Sequence, residues 1–284
     1  MSNVDPAAFR DFEFEGWQKV ANRYHDSFAL VTIQCIDELL DAAGVRIGSH
    51  TLDIATGPGY AAGRAAASKA IVTGIDFSSE MIEEARRRFP SVDFQIGDAE
   101  SLSFPDSSFD AAIMNFGMLH LGRPDRAAAE ACRVLRNNGR FAFSVWDTPD
   151  KTRGFGIVLE ATRKHGDMSV PLPPGPPFFR FSDTADSTQL LTQAGFEDVQ
   201  VRRVPQTWRL PSPDTLFDIM MNASVRNAAL LHAQRPEALE LIRREIHAQV
   251  SEHCVSGMFE LPMPAVLYSA RKRATACPDD PALK

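Results

Sequence analysis

Residues 51–63, T-L-D-I-A-T-G-P-G-Y-A-A-G, decide how the rest of the chain is read. Leu52 to Ala55 reads as a short buried strand that carries an acid, Asp53. Thr56, Gly57, Pro58 and Gly59 form a turn, and the alanine-rich run from Tyr60 starts a helix. Glycine has no Cβ, so the backbone at Gly57 and Gly59 can approach a ligand closely. The first turn of the next helix points free N–H groups at whatever lies over the turn. Strand, glycine turn and helix in this order make a nucleotide cradle. Gly57-Pro-Gly59-Tyr-Ala-Ala62 can be fitted to the dinucleotide fingerprint G-x-G-x-x-G/A, in which a pyrophosphate rests on the helix N-terminus. Asp53 argues against that fit. A carboxylate near the mouth of the turn repels a pyrophosphate and welcomes an ammonium or sulfonium group.

Outward from this stretch, strands and helices alternate. A helix is expected around Tyr60–Ser68, strand two at Ile71–Asp76, a helix near Ser79–Arg88, strand three at Val92–Ile96 and strand four at Ala111–Asn115. A helix around Asp125–Arg136 has Pro124 at its start and Gly139 after its end, and strand five follows at Phe141–Trp146. A helix near Ala185–Gln193, strand six at Val199–Val204 and a last strand over 263–273 complete the pattern. Short, continuously apolar strands between helices argue for an α/β fold, a parallel sheet covered on both faces.

Composition excludes several classes. The net charge of −7 gives no support to a nucleic-acid or anionic-membrane surface, both of which want a basic face. Cys35, Cys132, Cys254 and Cys277 are scattered without a C-x-x-C or metal-like grouping, so free thiols in a reducing cytoplasm are expected, and no metal. No run approaches the roughly 20 apolar residues of a membrane span, and the N-terminus has no signal-peptide pattern.

Acids recur where the strands should end. Asp76 closes strand two nineteen residues after Gly57, where a carboxylate can accept from both hydroxyls of a ribose. Strand three ends in Gly97-Asp98-Ala99-Glu100, and an acid beside a small residue there can read the edge of adenine. Strand four ends in M-N-F-G-M-L-H-L, which places Asn115, Phe116 and His120 over the same crevice. A dehydrogenase has no evident need for the second acid.

Five segments now stand in order: L-D-I-A-T-G-P-G, G-I-D-F-S-S-E-M, F-Q-I-G-D-A-E-S-L-S-F, F-D-A-A-I-M-N-F-G-M-L-H-L and A-C-R-V-L-R-N-N-G-R-F-A-F-S. Together they resemble the class I S-adenosylmethionine (SAM)-dependent methyltransferases, nearest the ubiquinone/menaquinone-biosynthesis-type small-molecule enzymes. The resemblance covers roughly residues 45–208 well. It implies a doubly wound, Rossmann-like seven-stranded sheet in the order 3-2-1-4-5-7-6 with strand seven antiparallel. It also implies SAM as cofactor and S-adenosylhomocysteine as product. By the same resemblance Asp53, Ala55, Gly57 and Gly59 flank the methionine moiety, and Asp76 holds the ribose. Phe77 and Met81 pack on the adenine, Asp98 and Ala99 read its edge, and Asn115 with Phe116 lines the floor. Two positions depart from the family: Ala55-Thr56 stands where Gly-Cys or Gly-Thr is common, and Asn137-Asn138-Gly139 replaces Pro-Gly-Gly.

The remaining segments are expected to supply the acceptor side. The division read from the sequence is an N-terminal helical lid at 1–48, a core at 49–147 and a proline-rich substrate lid at 148–182. The core continues at 183–210, followed by a helical cap at 211–262, the last core strand at 263–273 and a disordered tail at 274–284. Trp17 and Tyr24 are seven apart and share a helix face, either as core or as a lid over the cofactor; Tyr24 is assigned to the cofactor side. Between residues 147 and 181 the rhythm breaks, with five prolines in positions 171–177 and then Phe178, Phe179 and Phe181, which reads as a long irregular binding loop. Trp17, Phe178, Phe179, Trp208 and Met221 are taken as acceptor-binding residues, alongside Phe155, Phe217 and Met220. An apolar, aromatic pocket of this kind suits a hydrophobic or aromatic small molecule. A base is needed only if the nucleophile arrives protonated, and His120 is the best-placed candidate. An NAD(P)-binding oxidoreductase and a SAM-binding protein without methyl transfer remain as alternatives, and a homodimer is an open expectation.

Overall fold

The computed structural model describes residues 5–274. Cys277 and all but the first residue of the expected tail lie outside them. The described residues hold ten strands: β1 (His50–Ile54), β2 (Ile71–Asp76), β3 (Asp93–Ile96), β4 (Phe109–Asn115), β5 (Leu135–Trp146), β6 (Phe196–Val204), β7 (Thr207–Leu210), β8 (Cys254–Val255), β9 (Met258–Pro262) and β10 (Ala265–Lys272). Seven of them form one sheet in the order β3-β2-β1-β4-β5-β10-β6. β1 to β5 pair in parallel, whereas β10 is antiparallel to both β5 and β6. This is the expected order 3-2-1-4-5-7-6, with β10 in the seventh place.

The parallel strands follow from their residues. β4 is F-D-A-A-I-M-N with every residue from Ala111 to Met114 buried, as a strand covered on both faces requires. Right-handed crossovers put the helices before β4 on one face and those after it on the other. The strand order therefore reverses between β1 and β4, and a crevice opens there at the carboxyl ends of the strands. Helix Ile36–Ala43 buries Ile36, Leu39, Leu40 and Ala43 and stops at Gly44 in the left-handed conformation. Helix Ser79–Arg88 is capped by the Ser78 hydroxyl, which accepts from the Met81 N–H.

Three features differ from the expectation. Helix Pro124–Val134 ends early, and β5 already begins at Leu135, because Asn138 takes a left-handed φ of 65° and forms a bulge inside the strand rather than a turn before it. The segment 148–182 is not irregular throughout: Arg153–His165 is a helix whose buried face includes Phe155, Ile157, Val158 and Ala161. Apart from Pro149, its prolines lie in the stretch after the helix. Residues 207–262 hold a small antiparallel sheet, β7-β9-β8, in addition to helices Thr215–Asn222, Arg226–His232 and Pro236–Ser251. Strands of two to five residues leave too short an alternation to be read from sequence. Among the described residues no helix is long and apolar enough to cross a membrane.

Gly59 is a residue the fold requires. Its φ is +83° at the N-cap of helix Tyr60–Ala67, and a Cβ there would stand 2.7 Å from the Phe94 ring. Gly59→Ala is expected to lower stability by about 1–3 kcal/mol, read as a reduced urea midpoint; an unchanged midpoint would contradict this packing.

Candidate functional site

A cleft enclosing about 1300 Å³, its open mouth included, sits over the carboxyl ends of the parallel strands. Each strand contributes: Ala55, Thr56 and Gly57 after β1, Asp76 and Phe77 at β2, Gly97 to Glu100 after β3, Asn115 to Gly117 at β4 and Trp146 at the end of β5. The roof comes from elsewhere. The N-terminal segment supplies Arg10, Trp17, Tyr24, Phe28 and Thr32, the segment after β5 supplies Phe155 and Phe178, and residues 224–227 close the far side.

The floor is tightly specified. Asp53 is fully buried beneath the glycine turn, and its Oδ2 accepts from the Thr56 hydroxyl at 2.5 Å and the Ala62 N–H at 3.0 Å. Among the described residues its Oδ1 has no hydrogen-bond partner. Asp76 accepts one backbone N–H on each oxygen, from Gly57 at 2.9 Å and from Ser78 at 2.9 Å. Burial outweighs these bonds and pushes the carboxyl of Asp53 up to about 7 and that of Asp76 to about 6. Ala55 and Phe116 both adopt φ of 55°, a costly conformation for residues other than glycine, at the ends of β1 and β4. Ala55 thus occupies a backbone geometry that favours glycine. Asn115 is held on three sides, donating to the Thr32 carbonyl and accepting from Ser144 and Cys35.

Of the residues singled out by sequence, Trp17, Tyr24, Ala55, Gly57, Asp76, Phe77, Met81, Asp98, Ala99, Asn115, Phe116, His120 and Phe178 all line this cleft. Asp53 and Gly59 do not; Asp53 lies under the turn, and Gly59 ends it and caps the helix that follows. Three acceptor-side assignments are corrected. Trp208 is wholly buried, with its ring 5.1 Å from Phe28, and belongs to the core. Met221 faces a separate surface depression shared with Phe12 and Lys19. Phe179 stands behind the wall, edge-on to Phe178 at 5.0 Å. Phe217 and Met220 are also core.

Sequence reading missed the polar residues that fasten the roof. Arg10 ion-pairs with Asp98 at 2.9 Å. Gln18 reaches the hydroxyls of Ser78 and Ser79. Glu13, with no exposed surface, accepts from Trp17 Nε1 at 3.1 Å, His120 Nδ1 at 2.9 Å and Arg226 Nε at 2.7 Å. The one available signal was an acid four residues before Trp17 on a face crowded with aromatics. His120 lies 4.9 Å from the Trp17 ring, edge to face. Among the described residues no group of three or more His, Cys, Asp or Glu is placed to hold a metal ion.

Comparison with known proteins fits this geometry. Residues 52–143, which carry β1 to β5 and the whole glycine turn, match the family model described as a methyltransferase domain. Over these residues the chain is similar to methyltransferase domains. A demethylmenaquinone methyltransferase of Renibacterium salmoninarum is 36% identical over 111 residues, 39% of this chain and 47% of that protein. The chain thus spans about half the length of the curated relatives it matches in this way. An uncharacterized protein of Mycobacterium bovis is 29% identical over 242 residues, covering 82% of this chain and 85% of its own length. The fold is shared with phosphoethanolamine N-methyltransferase 2 of Haemonchus contortus, solved with S-adenosylhomocysteine, at a TM-score of 0.51 and 17% identity over 84% of this chain and 52% of that one.

The raised carboxyls beneath this domain's cleft give a testable linkage. Asp53 and Asp76 bind protons more tightly folded than unfolded, so their contribution to stability is full below about pH 4 and is lost as pH rises through about 6 to 7. Asp53→Asn should therefore gain stability relative to wild type between pH 5 and pH 8 in guanidinium unfolding. A difference between the two proteins that does not change with pH would contradict the burial argument.

Proposed function

We propose that the chain is a SAM-dependent methyltransferase acting on a hydrophobic or aromatic small molecule. The observation that carries this reading is the meeting of the glycine turn, Asp76 and Asp98 in one cleft. The residues present suit SAM. At Gly57 nothing lies within 4 Å of where a Cβ would stand, so its backbone is open to a ligand. Each oxygen of Asp76 has accepted only one N–H and keeps capacity for a hydroxyl. Asp53 puts a second carboxylate under the turn, which suits a cationic ligand better than a pyrophosphate.

In this reading Asp76 accepts from the ribose hydroxyls, Phe77 and Met81 pack on the adenine, and Asp98 with Ala99 meets its edge. Ala55, Gly57 and Tyr24 flank the methionine part, and Asn115 and Phe116 form the floor. When bound, SAM supplies an electrophilic methyl group on a sulfonium. The chain's own task is then alignment and exclusion of water. Such positioning can supply roughly 7–11 kcal/mol of a barrier. Trp17, Phe28, Trp146, Phe155 and Phe178 surround the acceptor end with aromatic surface, which favours a flat, apolar acceptor. His120 stands among them.

Charge-assisted hydrogen bonds are worth about 1.5–3 kcal/mol each. Asp76→Ala is therefore expected to weaken SAM binding at least ten-fold while leaving the fold intact by circular dichroism. Incubation of wild type with methyl-labelled SAM and a panel of aromatic hydroxy compounds and amines should transfer label to at least one class. Tight SAM binding without transfer to any acceptor would favour the non-methylating alternative.

A further inference from the structure

His120 is tied to a carboxylate that belongs to the roof. Glu13 lies in helix Pro6–Val20, far from the sheet in sequence, yet its side chain is completely buried against the turn that follows β4. A carboxylate only accepts, so the ring nitrogen facing it, Nδ1, must carry the hydrogen. Nε2 is left with its lone pair, and among the described residues it has no protein partner, on a side chain that lines the cleft. Burial alone would raise the Glu13 carboxyl, but the hydrogen bonds from His120 and Arg226 and the charge of Arg226 outweigh it and hold it below its ordinary value. Arg226 fixes the carboxylate from the other side. Its remaining N–H groups bind the carbonyls of Pro176 at 3.1 Å and Leu119 at 2.9 Å, and its guanidinium sits 4.4 Å from the centre of the Phe9 ring.

We propose that Glu13 is a positioning residue that holds the His120 imidazole as the Nδ1–H tautomer, so that Nε2 can take the proton of an aromatic hydroxyl acceptor. This rests on the methyltransferase reading and adds the acceptor class to it. In the step, the hydroxyl proton passes to Nε2 as the oxygen–methyl bond forms and the sulfur–methyl bond breaks. The single positive charge moves from sulfonium to imidazolium, which now lies beside Glu13, and the proton then leaves to water. Because Glu13 rides on the N-terminal helix, the base is complete only when that helix is seated.

The test is nitrogen-15 NMR of histidine-labelled full-length protein, with and without S-adenosylhomocysteine, using His120→Gln to assign the signal. Wild type should show a protonated Nδ1 and a bare Nε2. In Glu13→Leu the signal should revert to the Nε2–H form that predominates in free histidine. Arg226→Met, which loosens the helix but keeps the carboxylate, should retain the Nδ1–H form. Nε2–H in wild type, or an unchanged Nδ1–H form in Glu13→Leu, would overturn the proposal. With a phenol panel and labelled SAM, Glu13→Gln should lower kcat/KM by about ten- to a hundred-fold, and it should spare anilines, whose nitrogen lone pair attacks without prior loss of a proton. Equal loss on both classes would assign Glu13 a merely structural role. Failure of S-adenosylhomocysteine to bind wild type would strike the cofactor reading and leave the tautomer result to stand by itself.

Discussion

The buried carboxylate of Asp53 is the constraint on which the cleft depends. Its Oδ2 joins the hydroxyl of Thr56, at the start of the turn, to the N–H of Ala62, in the helix after it. The turn is thereby pinned at both ends, and Gly57 is free to donate to Asp76 on the neighbouring strand. Strand, turn, helix and second strand are locked into one rigid unit by three hydrogen bonds to two acids. Burying those acids raises their proton affinity, a cost the fold bears at the place where a cationic ligand would relieve it.

The roof is held by the same kind of chemistry in a different arrangement. Helix Pro6–Val20 has little apolar surface to bury; Phe9 and Glu13 are its only buried residues. It is kept in place by directional contacts: Arg10 to Asp98, Gln18 to Ser79, Glu13 to Arg226 and His120. Three of these partners, Asp98, Arg226 and His120, also line the cleft. Seating the helix and finishing the site are therefore the same event, and a roof built from polar fastenings can open at less cost than one built from core.

Much of the sheet was legible because its strands are short apolar runs flanked by turn residues, and because Asp76 and Asp98 fall at strand ends. The glycine turn, the two acids and Asn115 were readable for the same reason. Trp208 and Met221 were misplaced because an aromatic or a methionine on an added helix or strand looks the same whether it faces a pocket or the core. Glu13 and Arg226 were invisible, since their meaning depends on a contact between residues 213 positions apart. The helix Arg153–His165 was hidden by the prolines that follow it, which drew the whole segment into one irregular reading. Ala55 takes a left-handed φ of 55°, a conformation that favours glycine and that its residue type does not announce.

The most direct test of the central claim is calorimetric titration of the wild-type chain with S-adenosylhomocysteine and, separately, with NADH. The account predicts saturable binding of the first, with one site per chain, and none of the second. Binding of NADH in preference to S-adenosylhomocysteine would return the turn at 56–59 to the dinucleotide reading and contradict the account.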